Sequence, residues 1–548
     1  MSEFDYIIVG AGSAGCVLAD RLSASGKHSV LVLEAGGTDS RFWIKVPLGY
    51  AFTFFDAAVN WRYTAEPDEG LNGRAAYWPR GKVVGGSGSI NAMAYLRGLP
   101  HDFDDWERAG ATGWNAETVW ATYDRLERHC ETRADGSSVC RGDGALVVSD
   151  LGERMHPFSR RFLEAAEEIG FPLTKDMNGQ SPEGFSYYRS NVHRGRRWSS
   201  ADAFFRPALR RSNVQLVSTV LVDKILMRDR RAIGVQYRQG GELVRVHARR
   251  EVIVSAGAVN TPQLLQLSGI GPGELLQSMG IDVAQDLREV GRGLQDHLTI
   301  SHYFEASEPT LNSRISGKLG QLKAGLQYLL MRSGPLSVPV NQVGGFVRSS
   351  PDEPVPDLQA YCNPASYSIR SDGQPVIDSE PGFLLCGQPC RPTSRGEIRI
   401  TSSDPTVPPL IQPNSLSTEK DRADAVKALH LIRALARAPT MRRVTVACKG
   451  PDVKRMSDDE MLANFREKAV TNYHPTCTCR MGRDAGDSVL DSRLRVHGVE
   501  GLRVVDASAF PNITSGNTNA PTMMLALRAA DLILEDARAG ETGGYSAA

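Results

Sequence analysis

One histidine and two cysteines crowd into the stretch TNYHPTCTCRMG, residues 471–482, as His474, Cys477 and Cys479. Two chemistries compete for them. Cysteine and histidine are preferred zinc ligands, whereas a histidine alone can act as a general base near neutral pH. A zinc site takes three or four ligands and commonly draws on a second Cys or His pair at a recognisable spacing. No such pair is evident here. In an extended segment, C-x-C also sends its two side chains to opposite faces. No metal site is expected. His474 is one of eleven histidines, so on residues alone a structural role stays open beside a catalytic one.

Position is the next question. The segment SDDEMLANFREKAV opens with Ser457 and, three residues on, Glu460, a capping box that starts a helix. That helix is expected to run directly into TNYHPTC and deliver His474 at its end. Pro475 biases His474 toward an extended backbone. Further on, SGNTNAPT leads into the helical PTMMLALRAADLILEDA, with Pro521 in the first turn. By itself Asn517 in that stretch reads as a turn or cap residue.

Near the N-terminus, YIIVGAGSAGCVLADRLSASGKHSVLVLEAGG reads as strand, helix, strand. Gly10, Gly12 and Gly15 permit a tight turn and close approach to a pyrophosphate at the helix N-terminus. Glu34 ends the second strand and can accept hydrogen bonds from ribose hydroxyls. Dinucleotide binding is expected, and the pattern does not separate NAD from FAD. WPRGKVVGGSGSINAMAYLRG, residues 78–98, is so bare of side chains that it can lie against a planar ligand or form a nest of N–H groups. A surface loop is the equal alternative. SAGAVNTPQLLQLSGIGP, residues 255–272, follows the strand EVIVSAG, and Thr261-Pro262 looks like its helix start.

These two small-residue stretches, Gly81 to Asp104 and Gly257 to Gly271, resemble the paired signatures of the glucose-methanol-choline (GMC) oxidoreductases. The similarity extends through the N-terminal glycine pattern, VGRGLQDHL at 290–298 and GLRVVDASAFPNITSGNTNAPTMMLALRAADLI near the C-terminus. It covers most of the chain and is nearest to bacterial alcohol and choline dehydrogenase-like members. The resemblance implies an α/β fold. In it, a Rossmann-like FAD-binding domain of the glutathione-reductase type (1–155, 210–300, 462–548) carries an inserted α+β substrate domain (156–209, 301–461). The insert is expected to build an antiparallel sheet over the flavin, with GEIRITSS at 396–403 as a strand.

The family's functional residues carry over by position. His474 is implied as the base and Asn517 as its neutral hydrogen-bonding partner, with the helix N-terminus after Asn517 turned toward the flavin's pyrimidine end. Implied FAD contacts are Gly10, Gly12, Ser13, Gly15, Glu34, Gly85, Asn91, Ala92, Met93, Val222, Ala256, Asp506, Ala507 and Asn519. Relatives with a histidyl-flavin bond carry that histidine just before the signature asparagine; here the residue is Ile90, so noncovalent FAD is expected. Asn472 stands where relatives often have an aliphatic residue, making it a tentative substrate contact, and Gly88 stands where Ser is frequent. The implied reaction is oxidation of a primary alcohol to an aldehyde by hydride transfer to flavin N5, with electrons passed to a quinone or other acceptor. An oxygen-using oxidase is the alternative, and a flavin-containing lyase or photodecarboxylase ranks lower. The alcohol is not specified.

At 548 residues the chain exceeds one ordinary core, and its 63 basic and 63 acidic residues leave no field for nucleic acid. Basic runs such as RGRR at 194–197 read as solvated. The nine scattered cysteines are expected to be reduced thiols in a cytoplasmic protein. The N-terminus lacks a signal-peptide pattern and no apolar run reaches membrane-spanning length, which leaves peripheral attachment to the inner membrane open.

Overall fold

The β-branched run YIIV forms the end of the strand Glu3–Val9, and VLVLE forms Val30–Glu34, buried along its whole length. Strands apolar on both faces belong in the middle of a parallel sheet, and these two pair in parallel, Tyr6 opposite Val30. The structure, a computed structural model, describes residues 3–369 and 375–543. Its seven-stranded sheet runs in the order Val214–Ser218, Val30–Glu34, Glu3–Val9, Glu242–Val254, Arg231–Gln239, Leu221–Arg228. Leu502–Val504 joins alongside the last residues of Glu242–Val254. The first contacts are parallel, and the 221–254 portion is an antiparallel meander.

Helix Ser13–Ser23 follows the first strand and packs on the C-terminal helix Asn519–Gly543. Two glycines make the turn between strand and helix fit. Gly10 has φ +103°, and a Cβ at Gly15 would stand 1.9 Å from the Gly10 carbonyl oxygen. The carboxyl ends of the parallel strands, where ligands gather in such sheets, lead into Gly10, Glu34, Ser255 and Val505.

A second, six-stranded antiparallel sheet is ordered Val343–Val347, Leu358–Asn363, Gly382–Pro389, Leu298–Ala306, Thr445–Lys449, with Val470–Thr471 also paired to Leu298–Ala306. Helices Glu419–Arg437 and Ser159–Glu168 back it, and together they bury a separate apolar cluster. Leu298–Ala306 starts just before the boundary expected at 300 and 301. The stretch read as strand at 396–403 is a strand only over Gly396–Arg399, and it pairs with Arg292–Leu294 and Leu410–Gln412 rather than in this sheet.

Four sequence readings are corrected. The helix expected to begin at Thr261-Pro262 spans Gly257–Leu267, with Pro262 inside it. Proline there leaves the carbonyl of Ala258 without its helical donor, and the Thr478 hydroxyl donates to it at 2.7 Å. The capped helix Asp458–Lys468 does not run directly to His474; Val470–Thr471 intervenes as a strand. Cys130 and Cys140 are not free thiols: they face each other across a hairpin and form a disulfide. Arg197 is not solvated; it is 1 % exposed. Among the described residues no helix is long and apolar enough to cross a membrane.

Candidate active site

His474 and its surroundings are held by two antiparallel segments, 295–299 and 470–476. Leu298 and Thr471 are strand partners, Asn472 N–H donates to the His297 carbonyl at 2.7 Å, and Gln295 and Thr476 exchange backbone bonds at 3.2 and 3.0 Å. Asp296 locks the arrangement. Its Oδ1 accepts from the backbone N–H of His474 (2.7 Å) and of His297 (2.9 Å), and its Oδ2 accepts from the Thr471 hydroxyl. Tyr473 stands at φ +64°, an uncommon conformation for a bulky residue, which turns the chain just before His474. Arg80 donates to the Tyr473 carbonyl at 2.6 Å, and the Thr471 hydroxyl accepts from the Tyr473 N–H.

A chain of hydrogen bonds sets the proton on His474. His297 Nε2 lies 2.9 Å from the Cys390 carbonyl, an acceptor only, so that nitrogen carries the hydrogen. In neutral His297 the Nδ1 is then a lone pair, and it faces His474 Nδ1 at 3.0 Å. His474 must therefore donate from Nδ1, which leaves Nε2 unprotonated. Nε2 accepts from the Asn517 amide at 3.0 Å. Both rings are neutral: burial lowers the His297 pKa to about 4, and burial, then His297, then the Arg80 charge push that of His474 well below 6.5. A neutral imidazole with a free Nε2 lone pair is the form a general base requires.

His474, Asn517 and Asn472 line one cavity of about 1540 Å³ together with the implied cofactor contacts Gly10, Gly12, Ser13, Glu34, Asn91, Ala92, Met93, Val222, Ala256, Asp506, Ala507 and Asn519. Gly15 and Gly85 are not in the lining. Gly15 admits the helix against the Gly10 turn, and Gly85, at φ +86°, donates its N–H to the Ala11 carbonyl. Glu34 accepts from the N–H groups of Ala11 and Gly36, both at 2.8 Å, while burial raises its pKa. Asp506 accepts from Gly257 N–H and Thr261 Oγ1 and so anchors the second small-residue turn. Asn472 donates to Gln388, and a Cβ at Gly88 would press on Ser13 Oγ at 2.8 Å.

The cavity fits a flavin dinucleotide. It exceeds the roughly 300–1,000 Å³ of an ordinary small-ligand pocket. Bare backbone at Gly12 and Gly257 lines it, with no Cβ-crowding atom closer than 3.9 Å at the first and none within 4 Å at the second. The Ser255 hydroxyl, also in the lining, is buried with no partner within the protein.

Sequence reasoning missed three groups. His297 and Asp296 sit in VGRGLQDHL, where an Asp-His pair at the start of a strand was the available signal. Arg197 sits in RGRR and donates to the carbonyls of Ile44 (2.9 Å), Gly88 (3.2 Å) and Asn91 (2.6 Å) and to Asn91 Oδ1 (2.6 Å). It thereby ties down the loop that carries three of the implied cofactor contacts. Burial lowers its pKa to about 9. The two cysteines are packed, not presented. Cys477 Sγ donates to Gln295 Oε1, burial raises its pKa to about 11, and burial likewise raises that of Cys479. No group of three or more metal-ligating side chains is gathered among the described residues.

GMC oxidoreductase models match residues 4–299 and 392–526. The chain is 41% identical to an oxygen-dependent choline dehydrogenase of Vibrio vulnificus, over 97% of this chain and 94% of that one. It is also 41% identical to an alcohol dehydrogenase [acceptor] of Pseudomonas putida, over 97% and 96%. Pyridoxine 4-oxidase from Mesorbium loti superposes with a TM-score of 0.85 at 28% identity, over 96% and 98% of the two chains. The chain belongs to the GMC oxidoreductases. It is an oxidoreductase whose cofactor is FAD, built on that family's mixed α/β fold.

Proposed function

We propose that the chain oxidises an uncharged primary alcohol to the aldehyde and passes the electrons to a quinone or another acceptor. Bound FAD supplies the hydride acceptor. An alcohol hydroxyl donating to His474 Nε2 takes the place now held by the Asn517 amide, and Nε2 accepts the proton as the carbon-bound hydrogen leaves. Asn517, released from the histidine, donates to the alcohol oxygen and steadies its developing negative charge. The observation carrying this reading is the bonded sequence from the Cys390 carbonyl through His297 to His474, which leaves Nε2 as a lone pair facing the cavity.

The names of the relatives point to alcohols, choline among them. Charge favours a neutral substrate for this chain. Among the described residues the only carboxylates in the lining are Glu34 and Asp506, both bonded to backbone N–H groups, whereas Arg80 adds positive charge and Lys449 and Lys468 are paired with Asp378 and Glu467. Among those residues no carboxylate free of backbone bonds lines the cavity to pair with a quaternary ammonium, which leaves only aromatic faces such as Tyr473 and Trp61 to hold one. The discriminating experiment is anaerobic flavin bleaching with choline and with 3,3-dimethylbutan-1-ol, its neutral isostere. The neutral alcohol is expected to bleach faster at equal concentration; preferential bleaching by choline overturns the charge argument, and bleaching by no alcohol overturns the reaction. Readmitting air then separates an acceptor-using dehydrogenase, slow to recolour, from an oxidase.

The same reading includes a noncovalent flavin, since Ile90 before Asn91 has no nucleophilic atom, and a substrate domain formed by 156–209 and 301–461. We also infer peripheral attachment to the inner membrane, where a quinone is dissolved.

A further inference from the structure

The helix Gly317–Met331 has its apolar face on the wrong side for a protein in water. Leu319 is 84 % exposed, Leu322 60 %, Leu326 50 %, Leu329 56 % and Leu330 80 %. At i, i+3, i+7 and i+11, with Leu329 beside them, they form one stripe, while Ala324 and Tyr328 on the opposite side are buried. An exposed stripe of this kind marks an interaction surface rather than a scatter of single leucines. Exposed aromatics pack against the same helix from its buried side. Phe42 contacts the Tyr328 ring edge-on at 6.3 Å and also meets Trp43, which stacks on the 59 %-exposed Phe52 at 4.1 Å.

Charge identifies the occupant. Residues 309–340 contain Arg314, Lys318, Lys323 and Arg332 and no Asp or Glu. Arg196 lies on the adjacent hairpin, whose Gly195 abuts the backbone of Arg332. A second copy seated helix to helix would set these cations against themselves, since residues 309–340 hold no acid to meet them. A leucine face with interfacial tryptophan and a cationic border suits an anionic lipid surface, in which a helix lies flat with its apolar side sunk among the acyl chains.

We propose that Gly317–Met331, with Phe42, Trp43 and Phe52, is a docking surface for an anionic bilayer, and that the cavity opens toward the lipid there. Gln321, Ala324 and Gly325 line the cavity from the helix side opposite the leucine stripe, and the exposed Trp43 and Phe52, which also line it, mark where the cavity meets the lipid. An apolar alcohol or a quinone dissolved in the bilayer then reaches the cavity without crossing water. The inference rests on the peripheral attachment proposed above and is independent of the alcohol chemistry.

The test is co-sedimentation of the FAD-loaded full chain with sucrose-filled vesicles of phosphatidylcholine alone or with about 30 % phosphatidylglycerol, beside a sedimentation-velocity run without lipid. Burying half a leucine side chain contributes roughly fivefold to partitioning, so Leu322→Glu/Leu326→Glu/Leu330→Glu is expected to cut binding about a hundredfold. Lys318→Gln/Lys323→Gln removes two cations worth roughly fivefold each on anionic vesicles only. Leu243→Glu, at an exposed leucine outside the helix, is expected to bind as wild type. Flavin absorbance and bleaching by a water-soluble alcohol confirm that each variant is folded. Wild type that ignores anionic vesicles overturns the attachment itself. Wild-type binding that survives the triple substitution leaves attachment standing and overturns this surface. A wild-type dimer abolished by the leucine substitutions assigns the face to a second copy and refutes the bilayer.

Discussion

Replacing His297 with alanine tests how the proton on His474 is placed. His297 is fully buried, and its Nδ1 is the acceptor for His474 Nδ1–H at 3.0 Å. Without it, that N–H has no partner in a buried site, a penalty of about 1–3 kcal/mol, and the Nε2–H form that cannot act as a base becomes competitive. Passed into the barrier, this corresponds to roughly 5- to 150-fold slower flavin reduction. A pH readout separates this role from loss of packing alone. His297 is one cause of the depressed His474 pKa, after burial, and the substitution removes the first and relaxes the second. The His474 pKa then rises toward 6.5, so the base is lost at higher pH and the acidic limb of the reduction rate moves up. His297→Gln, whose side-chain oxygen can accept from Nδ1–H, should recover part of the rate. The assay is anaerobic stopped-flow flavin reduction across pH, on protein checked for FAD content. A His297→Ala rate within twofold of wild type, with its acidic limb unmoved, refutes the reasoning.

Acid precipitation should release the yellow colour into the supernatant, because Ile90 offers no atom for a flavin bond; colour retained in the thoroughly unfolded pellet counts against it. Arg197→Met leaves the Ile44, Gly88 and Asn91 carbonyls short of their shared donor, about 1–3 kcal/mol for each left unsatisfied. It is expected to yield FAD-poor protein whose Tm rises on adding FAD, seen by absorbance ratio and thermal melts. Thr478→Val removes the donor that serves Ala258 beside Pro262 and should lower the unfolding free energy by about 1–3 kcal/mol, read as a lower denaturant midpoint with an unchanged slope.

The nucleotide unit was legible because its signals are local. A β-branched run, three glycines at fixed offsets and a terminal carboxylate prescribe strand, turn and helix in sequence order, and Glu3–Val9, Ser13–Ser23 and Val30–Glu34 follow them. His474 and Asn517 were picked out by family motifs, and they meet at 3.0 Å although 43 residues apart. What was missed is non-local. The pairing of 295–299 with 470–476, and hence His297 behind His474, depends on a contact across 177 residues that no local periodicity encodes. Arg197 misled because a basic run describes charge and not burial; its acceptors are carbonyls 106 and 153 residues away. Pro262 misled because the Ala258 carbonyl it leaves without a helical donor is served by Thr478, 220 residues downstream of Ala258.

The central claim is that His474 Nε2 takes the alcohol's proton. Its most direct measurement is the anaerobic stopped-flow rate of flavin reduction in His474→Ala against wild type, with one good alcohol and FAD content matched. A positioned base contributes about a hundred- to ten-thousand-fold, so the variant should keep its flavin and slow on that scale. In wild type the rate should hold level as pH drops past 6.5 and should fall only at still lower pH, where the buried ring gains its proton. A folded, FAD-loaded His474→Ala protein that reduces its flavin within tenfold of wild type would contradict the account.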